Sequence, residues 1–430
     1  MKNTDTEKKL SFSALVSCFK KQMGKIKDYR NSKSIDHLIV DVCTSGLATM
    51  HFKDSSLLES QRRLETKEGR NNLKTLFGIS KIPSDSQTRE VLDCVSSQAF
   101  QPIYRNYFSR LQRGKYLENF QLFPGLYLCS IDGSEYFRSE SISCVSCLES
   151  KHSNGTVSHS HQILQATLVH PNEKQVIPLC PEQIANTDGS EKNDCEMNAA
   201  KRLLARLRTE HPFLGLIING DGLYAKQPLI ELILKLSMHF IFVCKEDHKI
   251  LWEWFYEQKK LGEVTELNKT DKNGRLHHYE WINQVPLNGN KDVPLVNLFI
   301  YELSVNGKIT YRSTWVTDIE VTLENIEVLV PGARARWKIE NECFNTLKNG
   351  GYHLEHNFGH GEVNLAFNFL LLNLLAFFIH QILELSDILY QKCRKRLVTK
   401  KNFWESIRVY LKFRVFETWE ELMILTLEAG

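Results

Sequence analysis

At 430 residues, with 42% hydrophobic and 24% charged residues and a net charge of +3, the chain is composed like an ordinary globular protein and is long enough for two or three domains. Eleven cysteines, scattered and odd in number, exclude a disulfide framework, and MKNTDTEKKL at the amino end lacks the pattern of a secretory signal, so a reducing, cytosolic setting is expected. The modest net charge hides an asymmetry: residues 1–117 hold 21 Lys and Arg against 12 Asp and Glu, a surplus of +9 that leaves −6 on the rest.

Residues 1–117 read as helices with polar joints and, with their charge, as a helical DNA-binding domain. Within them, LKTLFGISKIPSDSQTREVLDCV predicts a helix–turn–helix. Leu73, Leu76 and Phe77 form an apolar stripe, Gly78 to Pro83 breaks it, and Ser84 with Gln87 fits a capping box that starts a second helix. Thr88 and Arg89 fall in that helix's first turn, where side chains and backbone N–H groups meet phosphate.

From residue 126 the text changes to short apolar strands and amphipathic helices. LYLCSI, HQILQATLVH, KQVIPLC, LGLIING and FIFVCK are predicted strands, and CEMNAAKRLLARLRTEH and LIELILKLSMH predicted helices. Antiparallel strands followed by βαβ units make a mixed α/β sheet over 118–251. Residues 252–320 return to β-like text (HHYEWINQV, PLVNLFIYELSV, KITYRSTWVTDI), a β-rich insertion. Over 321–385, NIEVLVPGARARWKIENECFNTLKN resumes helix until Gly350 and Gly351 stop it. Leu365 to Ile379 is apolar but shorter than the ~20 residues of a membrane span, and it contains Asn368 and Asn373, so a buried helix is expected and no membrane contact. Residues 386–430 form a final helical segment. There KCRKRLVTKK (Lys392 to Lys401) reads equally as a solvated helix face or a nucleic-acid contact.

Two apolar strands run into a carboxylate followed by glycine: Asp132 in SIDGSEYF and Asp221 in INGDGLYA. A lone carboxylate is costly to bury, so both belong at a wet strand end or beside a cation. Two strands of one sheet can bring them to the same edge, where ligands of open sheets gather. Glu340 in RARWKIENECF is a third acid, with Arg336 one turn before it on the same helix face. Three carboxylates without histidines suit Mg²⁺ or Mn²⁺. Two such ions ~3.5–4 Å apart stabilise the attacking and leaving oxygens of an in-line phosphoryl displacement. Taken singly, each acid also fits an ordinary turn or a surface ion pair.

These residues resemble DDE transposases of bacterial insertion sequences, in particular the insertion-sequence-four type, which carries a β-rich insertion in an RNase H-like core. The resemblance runs from about residue 56 and is densest in SIDGSEYF, INGDGLYA and RARWKIENECFNTLKNGGYHLEHNFGHG. It implies that Asp132, Asp221 and Glu340 form a magnesium-binding triad and that Arg336 and Lys348 contact DNA. The family has tyrosine where this chain has Ala333 and lysine where it has Leu347, and Glu342, about 200° around the helix from Glu340, is a weaker rival to it. The implied activity is DNA transposition: binding terminal inverted repeats, cleaving the end phosphodiester and joining the freed 3′-hydroxyl to target DNA. A homodimer in the DNA complex and a bacterial, nucleoid-associated location go with it. A nuclease that never joins strands, and an inactive DNA-binding descendant, share these motifs.

CVSCLESKHSNGTVSHSHQ raises a second metal. Cys144 and Cys147 form C-x2-C, and His159 and His161, sharing a strand face, would complete a Cys2His2 zinc set with His152 as a spare; reduced thiols in a core are the plainer alternative. His353, His356 and His360 read as a turn that packs or touches DNA.

Overall fold

The structure, a computed structural model, describes residues 8–28, 30, 35–64, 71–186 and 193–429. The helices of the amino-terminal part, among the described residues, include α1 (Phe12–Met23), α2 (Ile39–His51), α3 (Leu57–Leu64), α4 (Asn72–Phe77), α5 (Asp85–Cys94) and α6 (Gln101–Arg113). The predicted helix–turn–helix is α4 and α5. Gly78 ends α4 in the left-handed region at φ +67°, and Ser84 and Gln87 form both arms of the capping box that begins α5.

The sheet strands follow: β1 (Gln121–Phe123), β2 (Leu126–Ser139), β3 (Leu148–Lys151), β4 (Val157–Val169), β5 (Ile177–Pro178) and β6 (Glu182–Ile184). Next come α7 (Glu196–Glu210), β7 (Gly215–Gly220), α8 (Gln227–Lys235), β8 (His239–Val243) and α9 (Lys249–Leu261). Four further strands are β9 (Thr265–Thr270), β10 (Leu276–Pro286), β11 (Leu295–Val305) and β12 (Lys308–Thr317). The order across the sheet is β3-β4-β2-β7-β8-β12-β11-β10-β9. Strands β3, β4 and β2 pair antiparallel, and β7 and β8 add parallel to β2 through the crossover helices α7 and α8. This antiparallel meander extended by two parallel strands, with helices alongside, is the expected RNase H-like arrangement. The insertion over 252–320 does not stand apart as a separate sheet: β12 pairs with β8 and carries β11, β10 and β9 outward in the same sheet.

Two predicted elements differ. LYLCSI does not stop at the aspartate; β2 continues to Ser139 because β4 pairs along its whole length. The helix expected up to Gly350 is broken into α10 (Ile326–Arg334), a π-helical turn (Ile339–Phe344) and α11 (Asn345–Asn349). At the break the carbonyls of Gly332 and Ala333 accept from the Asn219 side chain, and the N–H groups of Arg336, Lys338 and Ile339 bond three residues back.

The chain closes with α12 (Leu365–Ser386), α13 (Ile388–Arg396), α14 (Lys400–Phe413) and α15 (Trp419–Ala429). Helix α12 is long and apolar enough to cross a membrane, but its faces are covered: α2 and α5 pack on it, and the Tyr104 hydroxyl donates to the Leu371 carbonyl. Phe12 stacks on Trp419 at 4.4 Å, and Asn72 donates to the carbonyls of Leu411 and Arg414. Opening and closing helices thus share one core, joined because α12 is apolar all round.

Candidate active site

Strands β2 and β7 run parallel from Leu126 opposite Gly215 to Ser130 opposite Asn219. Continued by two residues, that register sets Asp132 opposite Asp221, on strands ~4.8 Å apart. Asp132 is therefore at the carboxyl end of the parallel ladder although its own strand runs on. Asp221 begins the turn after β7, its Oδ1 accepting from the Leu223 N–H at 2.8 Å. Gly222 fits there because a Cβ would lie 2.8 Å from the Lys245 side chain.

A fourth carboxylate, not anticipated from the sequence, joins them. Glu196 opens α7, and its Oε1 lies only 2.3 Å from where a Cβ on Gly133 would be, so glycine after Asp132 lets the carboxylate approach. The buried Tyr224 hydroxyl donates to Glu196 Oε2 at 2.9 Å. The one signal available was an acid in the first turn of a predicted helix, which the helix dipole alone explains.

Glu340 lies on the π-helical turn, which packs on β2 and β4. Arg336 Nη1 donates to Glu340 Oε1 at 2.6 Å and is 3.8 Å from Asp132 Oδ2, so one guanidinium links the two acids. Asn219, buried at the end of β7, holds the C-terminal end of α10 through Gly332 and Ala333 and so sets where Arg336 and Glu340 begin. Lys338, also buried, donates to the Glu173 carbonyl at 2.7 Å. The charge of Glu340 bears on Asp132, to which Arg336 also links it, whereas that of Glu342 bears on Lys338, so Glu340 is the acid beside Asp132.

Burial pushes the Asp132 carboxyl up to about 6; Arg336 lowers it, while Glu340 and Glu196 raise it further. Tyr224 is raised by burial and by Glu196, Asp132 and Asp221. Four acids and one arginine therefore share an electrostatic neighbourhood. Among the described residues, however, Asp132, Asp221 and Glu340 do not bring their oxygens within 4.8 Å of one another as a compact metal cage would. Arg336 bridges two of them instead. The donor set is all oxygen, which suits Mg²⁺ or Mn²⁺. Both positions where the resembled family has tyrosine and lysine, Ala333 and Leu347, are buried here.

The residues expected to touch DNA are placed less uniformly. Thr88 is buried with its hydroxyl donating to the Ser84 carbonyl, a correction to the expectation that it faces phosphate: the helix turns that side inward. Arg89 donates to the Phe358 carbonyl at 2.7 Å and pairs with Asp85, while Lys348 pairs with Glu355 at 2.8 Å. Lys9, Lys25, Arg105, Arg110 and Arg113 instead line one open groove, to which Glu210 at the far end of α7 also contributes. In the C-terminal basic cluster Arg394 is tied to Glu384, and Lys392, Lys395 and Arg396 are exposed.

The expected zinc set is corrected in one member. Cys144, Cys147 and His161 come together, but the fourth group is His360. His159 leans to Glu149, 3.8 Å away, and is not among the converging donors. His152 bonds Ser158 at 2.8 Å, outside the group. Of the three histidines in the turn after Gly350, His353 and His356 are not part of it either.

No family model and no curated protein matches this sequence. Among solved structures, the chain is similar to a piggyBac transposase in a synaptic complex with hairpin DNA, at 12% identity and a TM-score of 0.42, over 100% of this chain and 83% of that one.

Proposed function

We propose that the chain is a DDE transposase of the insertion-sequence-four type, binding the terminal inverted repeats of its element, hydrolysing the end phosphodiester and joining the 3′-hydroxyl to target DNA. The observation that carries this reading is the shared register of Asp132 and Asp221 at the ends of adjacent parallel strands, with Arg336 linking Asp132 to Glu340. Asp132, Asp221 and Glu340 would hold Mg²⁺ or Mn²⁺, which neutralises charge on the attacking and leaving oxygens. The chain's own part is positional and electrostatic. Glu196 and Tyr224 hold the edge of the site beside Asp132. With a cation held by the acids, Arg336, which here bridges Asp132 and Glu340, would be the residue to present planar donors to the scissile phosphate. The basic groove beside α1 and α6 takes the DNA backbone away from the reacting bond. Helix α7 spans the interval: its 15 residues put Glu196 and Glu210 ~21 Å apart.

The test is incubation of purified protein with its element's end DNA and Mg²⁺. Nicked and joined products are expected, both absent in Asp132→Asn, Asp221→Asn and Glu340→Gln while end-DNA binding persists. Cleavage at the wild-type rate by any of the three removes that residue from the site. Nicking without joining reduces the activity to that of a nuclease.

A further inference from the structure

We propose that Cys144, Cys147, His161 and His360 bind one structural zinc ion, which fastens the connection after the strand carrying Asp132, together with its neighbour β4, to the loop that follows the segment carrying Glu340. The proposal rests on none of the catalytic assignments.

Five of the six donor–donor distances match a tetrahedron, and the sixth, Cys144 to His360, is within 4.8 Å. With Zn–S near ~2.3 Å and Zn–N near ~2.05 Å, tetrahedral angles put two sulfurs ~3.8 Å apart, sulfur and nitrogen ~3.6 Å apart and two nitrogens ~3.3 Å apart. The two Sγ atoms are separated by 3.8 Å. His161 Nε2 is 3.6 Å from each sulfur, and His360 Nε2 is 3.5 Å from Cys147 Sγ and 3.1 Å from His161 Nε2.

The surroundings prepare the same four atoms. The Cys147 N–H bonds back to the Cys144 carbonyl at 3.1 Å, a tight turn that brings both thiols to one side. His360 Nδ1 donates to the Gly361 carbonyl at 2.8 Å, which leaves its Nε2 lone pair free to ligate. The His161 ring is oriented by packing: it stacks on Tyr136 at 5.7 Å and tilts against Phe137, and its Nδ1 has no hydrogen-bond partner among the described residues. Without a cation, the buried Cys147 and His161 and the half-buried Cys144 and His360 would have little but one another to satisfy these donor atoms. Two thiolates and two neutral imidazoles select zinc over the hard cations that suit the carboxylates, and binding releases the two thiol protons.

His360 is 199 residues from His161, so the ion closes a long loop. The segment it pins is held from the other side by Asp93, which accepts from the N–H groups of Glu362, Val363, Asn364 and Leu365. Zinc would make that segment a two-sided brace between the β2–β3 connection and the start of α12.

The full chain, purified without added metal, is expected to carry one zinc per molecule by elemental analysis. His360→Ala should lose most of it, His159→Ala should keep it, and His360→Cys should retain it as a Cys3His site. Replacement by Co²⁺ should give the visible and thiolate charge-transfer bands of tetrahedral thiolate ligation in the wild-type chain, a readout that needs no variant to fold. Folded, zinc-free protein that takes up Co²⁺ without those bands overturns the proposal. So does zinc that survives His360→Ala or is lost in His159→Ala.

Discussion

Asp132 is the residue at which sequence, burial and charge meet. Its carboxyl titrates near 6 against 3.8 in an unfolded chain, so between those values the folded protein keeps a proton that the unfolded chain has released. Ionisation therefore works against folding: the penalty is fully present above about pH 6 and absent below pH 3.8. Asp132→Asn should raise the stability of the metal-free protein at pH 8 by on the order of 1–3 kcal/mol, with the gain fading toward pH 4. Thermal melts of both proteins across that range measure it. An equal gain at every pH would mean that the carboxylate is not strained by its surroundings. In the same variant cleavage should disappear, the usual mark of a polar group kept for chemistry at a cost in stability.

At the scale of elements, the decisive contact is between a strand and the end of a helix. Asn219 ends β7 with its amide on the carbonyls of Gly332 and Ala333, where α10 gives way to the turn that presents Arg336 and Glu340. Asn219→Ala takes the side-chain donor from those carbonyls, which keep backbone bonds from Ala335 and Arg336, at a cost of about 0.5–1.5 kcal/mol. It should lower the cleavage rate of bound DNA more than the affinity for DNA, since it touches only the placement of Glu340. Comparing single-turnover cleavage with equilibrium binding separates the two; a loss confined to binding would remove Asn219 from this positioning role.

Across the whole molecule, five basic residues of the amino-terminal part, Lys9, Lys25, Arg105, Arg110 and Arg113, are brought by packing to one groove, while the helices of that part are built into the core with α12 to α15. A chain shortened to start near residue 118 would bare the apolar surface of α12, so charge reversal or neutralisation is the better probe of DNA binding than truncation. Lys25→Gln with Arg113→Gln should weaken binding on many sequences alike and reduce the slope of log affinity against log salt by about 2, roughly one for each phosphate left without its cation. Arg110 is unsuitable for this, because it is bonded to the carbonyls of Lys9 and Ala14. An unchanged salt slope would take the groove out of the DNA path.

Much of this was legible in the residues themselves. The capping box at Ser84, the glycine stop after Phe77, the strand-and-helix alternation from residue 126 and the spacing of Arg336 and Glu340 are local, set by backbone stereochemistry and by contacts within one turn. Even the pairing of Asp132 with Asp221 could be proposed, because each ends an apolar run. What the sequence did not hold was anything that depends on which surfaces meet at long range. Glu196 reaches Asp132 only because Gly133 leaves room and Tyr224 holds it, and Thr88 is lost to solvent only because its side of α5 is turned inward. His360, not His159, stands beside the two cysteines because a loop 199 residues away brings its imidazole to 3.1 Å from His161, a meeting that no local spacing encodes. Side-chain periodicity fixes the face on which a residue lies; only the closed fold fixes what that face meets.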